Sequence, residues 1–286
     1  MWSGGMILLK GNASCQGCPH SIAFKVLEYL ENPIVLMPAG CSTVIAGLHP
    51  NSSLTIPCVH VPFPSTPAVS YGLSAGLKRR GIKANVVAWM GDGSVDISYS
   101  LLSGSALRND DIIVIVVDNE AYMNTGVQSS GTTFWKARTT TSPKGKKEER
   151  RNVALQMALH KVPYVATASV GYMRDFIKKV KKAGEIEGFR YIHVHCPCPP
   201  GWGFESSKTI EMARMAVQSK AWILWEYDGY KGKFKISKIS KRAKINALKE
   251  YLLSQARLKH LSDEDIEEIE RKIEEEWKLL EHLEKL

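Results

Sequence analysis

The chain has 286 residues, a formal net charge of +9 and a hydrophobic fraction of 44%. That length accommodates one large α/β domain with an appended segment. No apolar run reaches the roughly 20 residues of a membrane span, and MWSGGMILLKGNAS lacks a charged-then-apolar leader, so a cytoplasmic protein without a membrane partner is expected. The densest basic run, KGKKEERR (Lys144 to Arg151), has no interleaved aromatics and matches no nucleic-acid module. No nucleic-acid partner is expected.

Taken along the chain, apolar runs predict strands at Pro33–Met37, Cys58–Phe63, Asn85–Met90, Asp111–Asn119, Tyr164–Ser169 and Tyr191–Cys196. Such uninterrupted runs suit parallel strands buried on both faces. Between them, helical patterns cover Ser21–Leu30, Ala68–Arg80, Asp96–Asn109 and Met173–Ile186. Alternation of the two predicts an α/β fold, a parallel sheet with helices on both faces. The first domain is placed at 1–204. Residues 205–286 read as a mainly helical C-terminal arm, interrupted by a Gly-flanked stretch around YDGYKGKFKIS. Ser262 is a candidate helix cap. Ile266, Ile269, Ile273, Trp277, Leu280 and Leu283 form one apolar stripe, to pack on the body or on another subunit.

One strand ends in Gly91-Asp92-Gly93, and the next ends near Asn119. In parallel α/β sheets ligands bind beyond the carboxyl ends of the strands. An Asp oxygen, an Asn amide oxygen and a nearby carbonyl are hard donors that suit Mg²⁺ while leaving positions for phosphate oxygens. The glycines allow a tight turn and close approach of a diphosphate, and the following helix start adds amide donors. A Gly-Asp-Gly turn alone is common; its spacing to Asn119 gives it meaning.

There are six cysteines. Cys15 and Cys18 stand in a C-x-x-C, Cys41 follows PAG at a strand end, and Cys198 lies in CPCPPGW. Thiolates in this arrangement suit either zinc or an iron–sulfur cluster. Cys58 and Cys196 read as structural, since free cysteines are commonly buried. His20 and His60 also read as structural.

With DNEAYMNTG, TTTSP, VPYVATAS, YIHV and PCPPGW added to the Gly-Asp-Gly and Asn pair, the chain resembles the thiamine diphosphate-binding β subunits of the 2-oxoacid:ferredoxin oxidoreductase family, from about Cys15 to the C-terminus. The resemblance implies thiamine diphosphate with Mg²⁺ held by Asp92, Asn119 and the carbonyl of Ala121. Gly91, Gly93 and Ser94 would border the diphosphate. Asn124 would be the catalytic residue near the reacting end of the cofactor, although an Asn before Thr-Gly also makes an ordinary turn. It implies one 4Fe-4S cluster on Cys15, Cys18, Cys41 and Cys198, the PCP-x-GW pattern favouring Cys198 over Cys196.

Further expectations come with the family: oxidative decarboxylation of a 2-oxoacid, pyruvate first, with branched-chain or aryl acids as alternatives. Coenzyme A is the acyl acceptor and ferredoxin the electron acceptor. An α subunit would supply the catalytic Glu and much of the substrate pocket, and a ferredoxin-like subunit further clusters, in a hetero-oligomer of anaerobic metabolism. A non-catalytic metal-bearing assembly subunit is the alternative of another class. Two departures stand out. Pro19-His20 follow the second cysteine where the family usually has Gly, and FPSTPAVSYG replaces a Phe-Glu-Asn-Ala-like segment near the cofactor. Ser65 and Thr66 are the candidates for polar contacts there, or else cap the next helix.

Overall fold

In a computed structural model, which describes residues 6–286, the chain builds an eight-stranded sheet. The strands are β1 (Pro33–Pro38), β2 (Cys58–Val61), β3 (Asn85–Gly91), β4 (Ile112–Asp118), β5 (Tyr164–Ser169), β6 (Phe189–His195), β7 (Trp225–Asp228) and β8 (Lys233–Ile236). Their order is β2-β1-β3-β4-β6-β5-β7-β8. The first six are parallel, and β7 and β8 add antiparallel at one edge. The helices are α1 (Pro19–Phe24), α2 (Cys41–Ala46), α3 (Thr66–Arg79), α4 (Asp92–Ile97), α5 (Tyr99–Arg108), α6 (Met123–Gly126) and α7 (Val153–Leu159). They continue as α8 (Met173–Glu185), α9 (Pro199–Trp202), α10 (Thr209–Gln218), α11 (Lys238–Lys241), α12 (Leu248–Leu253) and α13 (Asp263–Lys285).

Every residue of β4 and β6 is buried. Successive side chains leave a strand on opposite faces, so one run fills two cores. Val87, Trp89, Ile113, Ile115 and Val117 pack with Phe24, Phe176 and Val180 on one side. Val86, Ala88, Met90, Ile112, Val114 and Val116 pack with Leu102, Ala106, Val153 and Met157 on the other. Each such aliphatic side chain contributes roughly 1.5–3 kcal/mol on full burial. This is why the strands read as unbroken apolar runs rather than as alternating ones.

Helix boundaries differ from expectation in places. The pattern over Ser21–Leu30 is α1, beginning at Pro19 with its pre-set φ, followed by a 3₁₀ run at Lys25–Tyr29. The segment expected as one helix at Asp96–Asn109 is two, α4 and α5, and the first begins at Asp92 itself. At the break the Ser98 hydroxyl donates to the Ser94 carbonyl at 2.6 Å, a local bond that competes with the helical ladder. The segment expected at Ala68–Arg80 starts earlier, with Thr66 and Pro67 in the first turn of α3.

The C-terminal segment packs on its own body. Ile266, Ile269, Ile273 and Leu280 are buried, while Trp277 and Leu283 are partly so. The helix opens with a reciprocal cap: Ser262 Oγ accepts from Asp265 N at 3.2 Å, and Asp265 Oδ2 accepts from Ser262 N at 3.0 Å. Such a cap contributes about 1 kcal/mol. The YDGYKGKFKIS stretch supplies the β7–β8 hairpin, which extends the main sheet. No helix among the described residues is long and apolar enough to cross a membrane.

Candidate active site

The chemistry-bearing residues follow the carboxyl ends of four parallel strands. Gly40 and Cys41 come after β1, Asp92 after β3, Asn119 after β4, and Cys196 to Cys198 after β6. β3 and β4 are paired neighbours, with Gly91 opposite Val117. Asp92 and Asn119 therefore meet, both buried.

Their oxygens converge with a backbone carbonyl. Asn119 Oδ1 lies 2.9 Å from the carbonyl oxygen of Ala121 and 3.2 Å from Asp92 Oδ1. Three acceptor oxygens do not converge without something positive between them, or a rotated amide whose NH₂ donates to the other two. Burial, then the nearby charge of Asp118, pushes the Asp92 carboxyl well above the usual carboxylate range. A divalent ion would relieve both strains, and an all-oxygen set suits Mg²⁺. Thr132 Oγ1 braces the carboxylates from behind, 3.2 Å from Asp92 Oδ2 and 2.8 Å from Asp118 Oδ1; its single proton serves one at a time. Burial opposes ionisation of Asp118 too, but the hydrogen bond and charge of His193 and the charge of Arg150 outweigh it and hold the group at about 2.

A cavity of about 120 Å³ opens over these oxygens. Asp92, Asn119, Ala121, Gly91, Gly93, Ser94 and Asn124 all line it, with His20 and Phe63. A Cβ on Gly91 would meet nothing within 4 Å, so that residue leaves room on the cavity side. Gly93 serves a different need: its Cβ would lie 2.5 Å from the ring of Tyr122, which stacks on Phe63 at 6.4 Å. The expected contacts from Ser65 and Thr66 are not in this lining. Ser65 Oγ donates to the Pro62 carbonyl at 2.9 Å, and Thr66 is buried at the start of α3. Phe63 is the residue of that segment that reaches the cavity.

A second cavity, about 280 Å³, is lined by Cys15, Cys18, Cys41 and Cys198. Burial, then the neighbouring thiols Cys198, Cys18 and Cys15, pushes the Cys41 thiol up to about 12; burial likewise takes Cys198 to about 12. Among the described residues, no three His, Cys, Asp or Glu side chains are close enough to hold one metal ion. A tetrahedral zinc with Zn–S bonds near 2.3 Å draws its thiolates to about 3.8 Å. Four thiols set around one cavity would also suit a multinuclear cluster. Cys196 is fully buried in the sheet core, its N–H donating to the Asp118 carbonyl at 2.8 Å, and does not reach this cavity. Cys58 lies on β2, and His60 is exposed with Nε2 3.1 Å from the Gly47 carbonyl oxygen.

The two cavities adjoin. His20, Cys41, Asn119, Met123 and Asn124 line both. A third cavity, about 360 Å³ between α13 and the sheet, shares no residue with either. Within its lining Lys272 pairs with Glu149, and Asn152 Nδ2 donates to Glu276 Oε1 at 2.7 Å.

The supports of this site were not evident from residue patterns. Glu120, at φ 62° between Asn119 and Ala121, accepts from Arg150 at 3.2 Å and from Arg257 at 2.7 Å. Gly17, at φ 70°, sits where a Cβ would run into the Ser206 carbonyl, and its own carbonyl accepts from Thr209 Oγ1 at 2.7 Å. The C-terminal segment thus holds both the Cys15–Cys18 loop and the Asn119 loop. In sequence, these partners carry no signal beyond polarity.

A parallel sheet with oxygen donors at two adjacent strand ends and an open glycine cradle suits a diphosphate cofactor held through a divalent ion. Accordingly, residues 38–194 match the family "Thiamine pyrophosphate enzyme, C-terminal TPP binding domain". The chain is 43% identical to the pyruvate synthase subunit PorB of Methanothermobacter marburgensis, covering 93% of this chain and 94% of that protein. It is 41% identical to the ketoisovalerate oxidoreductase subunit VorB of Pyrococcus horikoshii, over 96% and 92%. A solved 2-oxoglutarate:ferredoxin oxidoreductase from Magnetococcus marinus, with 2-oxoglutarate, coenzyme A and succinyl-CoA bound, superposes with TM-score 0.58 at 25% identity, over 66% of this chain and 65% of that one. The chain belongs to the thiamine diphosphate-binding subunits of the 2-oxoacid:ferredoxin oxidoreductase family.

Proposed function

We propose that this chain holds thiamine diphosphate with Mg²⁺ in one cavity and a 4Fe-4S cluster in the next, within an enzyme that oxidatively decarboxylates a 2-oxoacid. The acyl group passes to coenzyme A and the electron pair leaves through the cluster to ferredoxin. The observation that carries this reading is the shared wall: Cys41, Asn119 and Asn124 line both cavities. An electron donor in the first then stands beside an acceptor in the second.

The bound cofactor supplies the nucleophilic carbon and the electron sink that the decarboxylation requires. The chain's residues do the rest. Asp92, Asn119 and the Ala121 carbonyl hold the Mg²⁺; Gly91, Gly93 and Ser94 border the diphosphate; Asn124 faces the reacting end. Cys15, Cys18, Cys41 and Cys198 hold the cluster. Among the described residues lining the first cavity, Asp92 is the only acid, and the metal needs it. As the family resemblance implies, the carboxylate that promotes cofactor deprotonation would come from an α subunit, which would also shape the substrate pocket. A ferredoxin-like subunit carries electrons onward.

Pyruvate is the first substrate. Because a ketoisovalerate oxidoreductase subunit matches about as well as a pyruvate synthase subunit, 2-oxoisovalerate is the second. The test is coenzyme A-dependent ferredoxin reduction by the complex purified without oxygen, with pyruvate, 2-oxoisovalerate, 2-oxoglutarate and an aryl 2-oxoacid compared by kcat/KM. A preference for pyruvate supports the reading. Preference for another acid moves the substrate and keeps the chemistry. Turnover of none, in a complex that holds iron and thiamine diphosphate, removes the activity.

A further inference from the structure

His20 is 3% exposed and sits between the two cavities. Its Nε2 lies 3.3 Å from Asn119 Nδ2. Its Nδ1 lies 3.4 Å from Ser42 Oγ, which accepts from Trp89 Nε1 at 3.1 Å. Ser42 follows Cys41, and His20 comes two residues after Cys18. One face of the Asn119 amide therefore meets the metal oxygens, and the opposite face meets this ring.

We propose that His20 is the positioning residue that sets the rotation of the Asn119 amide and so presents its oxygen to the metal. The inference rests on the Mg²⁺ reading given above. Two hydrogen-bond arrangements satisfy the group. In one, Asn119 Nδ2 donates to His20 Nε2, His20 Nδ1 donates to Ser42 Oγ, and Asn119 Oδ1 is free to bind a cation beside Asp92 and Ala121. In the other, the amide is rotated: its NH₂ donates to the Ala121 carbonyl at 2.9 Å and to Asp92 Oδ1 at 3.2 Å, and its oxygen accepts from His20 Nε2 at 3.3 Å. The Ser42 hydroxyl then donates to His20 Nδ1. The arrangements differ by an amide rotation and a ring tautomer, with no net proton gained or lost. The first is complete only with a cation present, the second only without one.

Groups that orient a metal ligand from behind typically change metal affinity 10- to 100-fold when removed. The experiment uses the assembled complex, purified without oxygen, treated with a chelator and supplied with excess thiamine diphosphate. Mg²⁺ is titrated, and binding is read by tryptophan fluorescence, Trp89 being in the cavity wall. His20→Leu and His20→Asn, the latter polar but too short to reach, should weaken Mg²⁺ binding about 10- to 100-fold with iron content unchanged. His20→Gln, whose amide oxygen can accept from Asn119, should recover most of it. Should His20→Leu fail to assemble, the Asn and Gln variants decide. Equal Mg²⁺ affinity in wild type, His20→Asn and His20→Leu, or in the Asn and Gln pair, overturns the proposal. Absence of thiamine-dependent Mg²⁺ binding in the wild type removes instead the metal reading beneath it.

Discussion

Glu120 accepts a 2.7 Å hydrogen bond from Arg257, 137 residues further along the chain. The pair is buried on both sides, with Arg257 also stacked over the Trp202 ring at 3.6 Å. Because Glu120 lies between Asn119 and Ala121, which both line the first cavity, the C-terminal segment fixes the loop from outside. Glu120→Gln leaves two buried guanidinium groups without their carboxylate. A loss on the order of 3 kcal/mol is expected, read by denaturant unfolding of the complex. Hydrogen exchange should rise in both the 119–123 and 255–258 segments. An effect confined to one of them would show the clamp to be incidental.

Gly91 and Gly93 flank the same aspartate but serve different ends. Gly91→Ala meets no atom and adopts an ordinary φ of −89°, so thermal stability should hold within about 0.5 kcal/mol. Its methyl stands in the cradle, and thiamine diphosphate affinity should fall more than tenfold. Gly93→Ala collides with Tyr122 and should lose both stability and cofactor binding. Calorimetric titration with the cofactor, alongside melting curves, separates the two.

The two cysteines of CPC make opposite predictions. Cys198 lines the thiol cavity, whereas Cys196 is packed in the core. Cys198→Ala should strip the cluster, and Cys196→Ala should keep full iron, as measured by iron assay and the visible absorbance of the complex.

A pH dependence follows from His195, which is buried between Trp202 and Trp222. Burial, then the positive charge of Arg150, lowers its pKa from 6.5 to about 3. Below pH 6.5 the unfolded chain takes up a proton that the folded chain refuses, so stability falls as pH falls. One proton corresponds to about 1.4 kcal/mol per pH unit, or about 2 kcal/mol lost between pH 6.5 and 5. His195→Phe, which keeps the ring contacts, should flatten that slope by one proton in unfolding measured across this window.

How much of this was readable beforehand depended on distance along the chain. The central strands announced themselves because burial on both faces demands apolar runs, and Asp92 and Asn119 because each directly follows such a run; β2, at the sheet edge, is largely exposed despite its apolar residues. The four cavity cysteines stood out by type and by glycine and proline neighbours. Thr132, Glu120, Phe63 and the Gly17–Ser206 approach did not, since each gains its role from a partner that only the topology brings close. The β7–β8 hairpin is short and half exposed, so its alternation was too brief to separate from a loop.

If the proposed cofactor cavity holds the electron donor and the thiol cavity its acceptor, electrons drawn from the 2-oxoacid cross the wall the two cavities share. The most direct test mixes the oxidised complex with pyruvate, and separately with 2-oxoisovalerate, and follows the cluster by electron paramagnetic resonance within one turnover. The wild type should develop a reduced-cluster signal, and Asp92→Asn, with full iron content, should develop none. A signal of equal size and rate in Asp92→Asn, or none in a wild type loaded with iron and thiamine diphosphate, would rule out electron transfer between the two cavities.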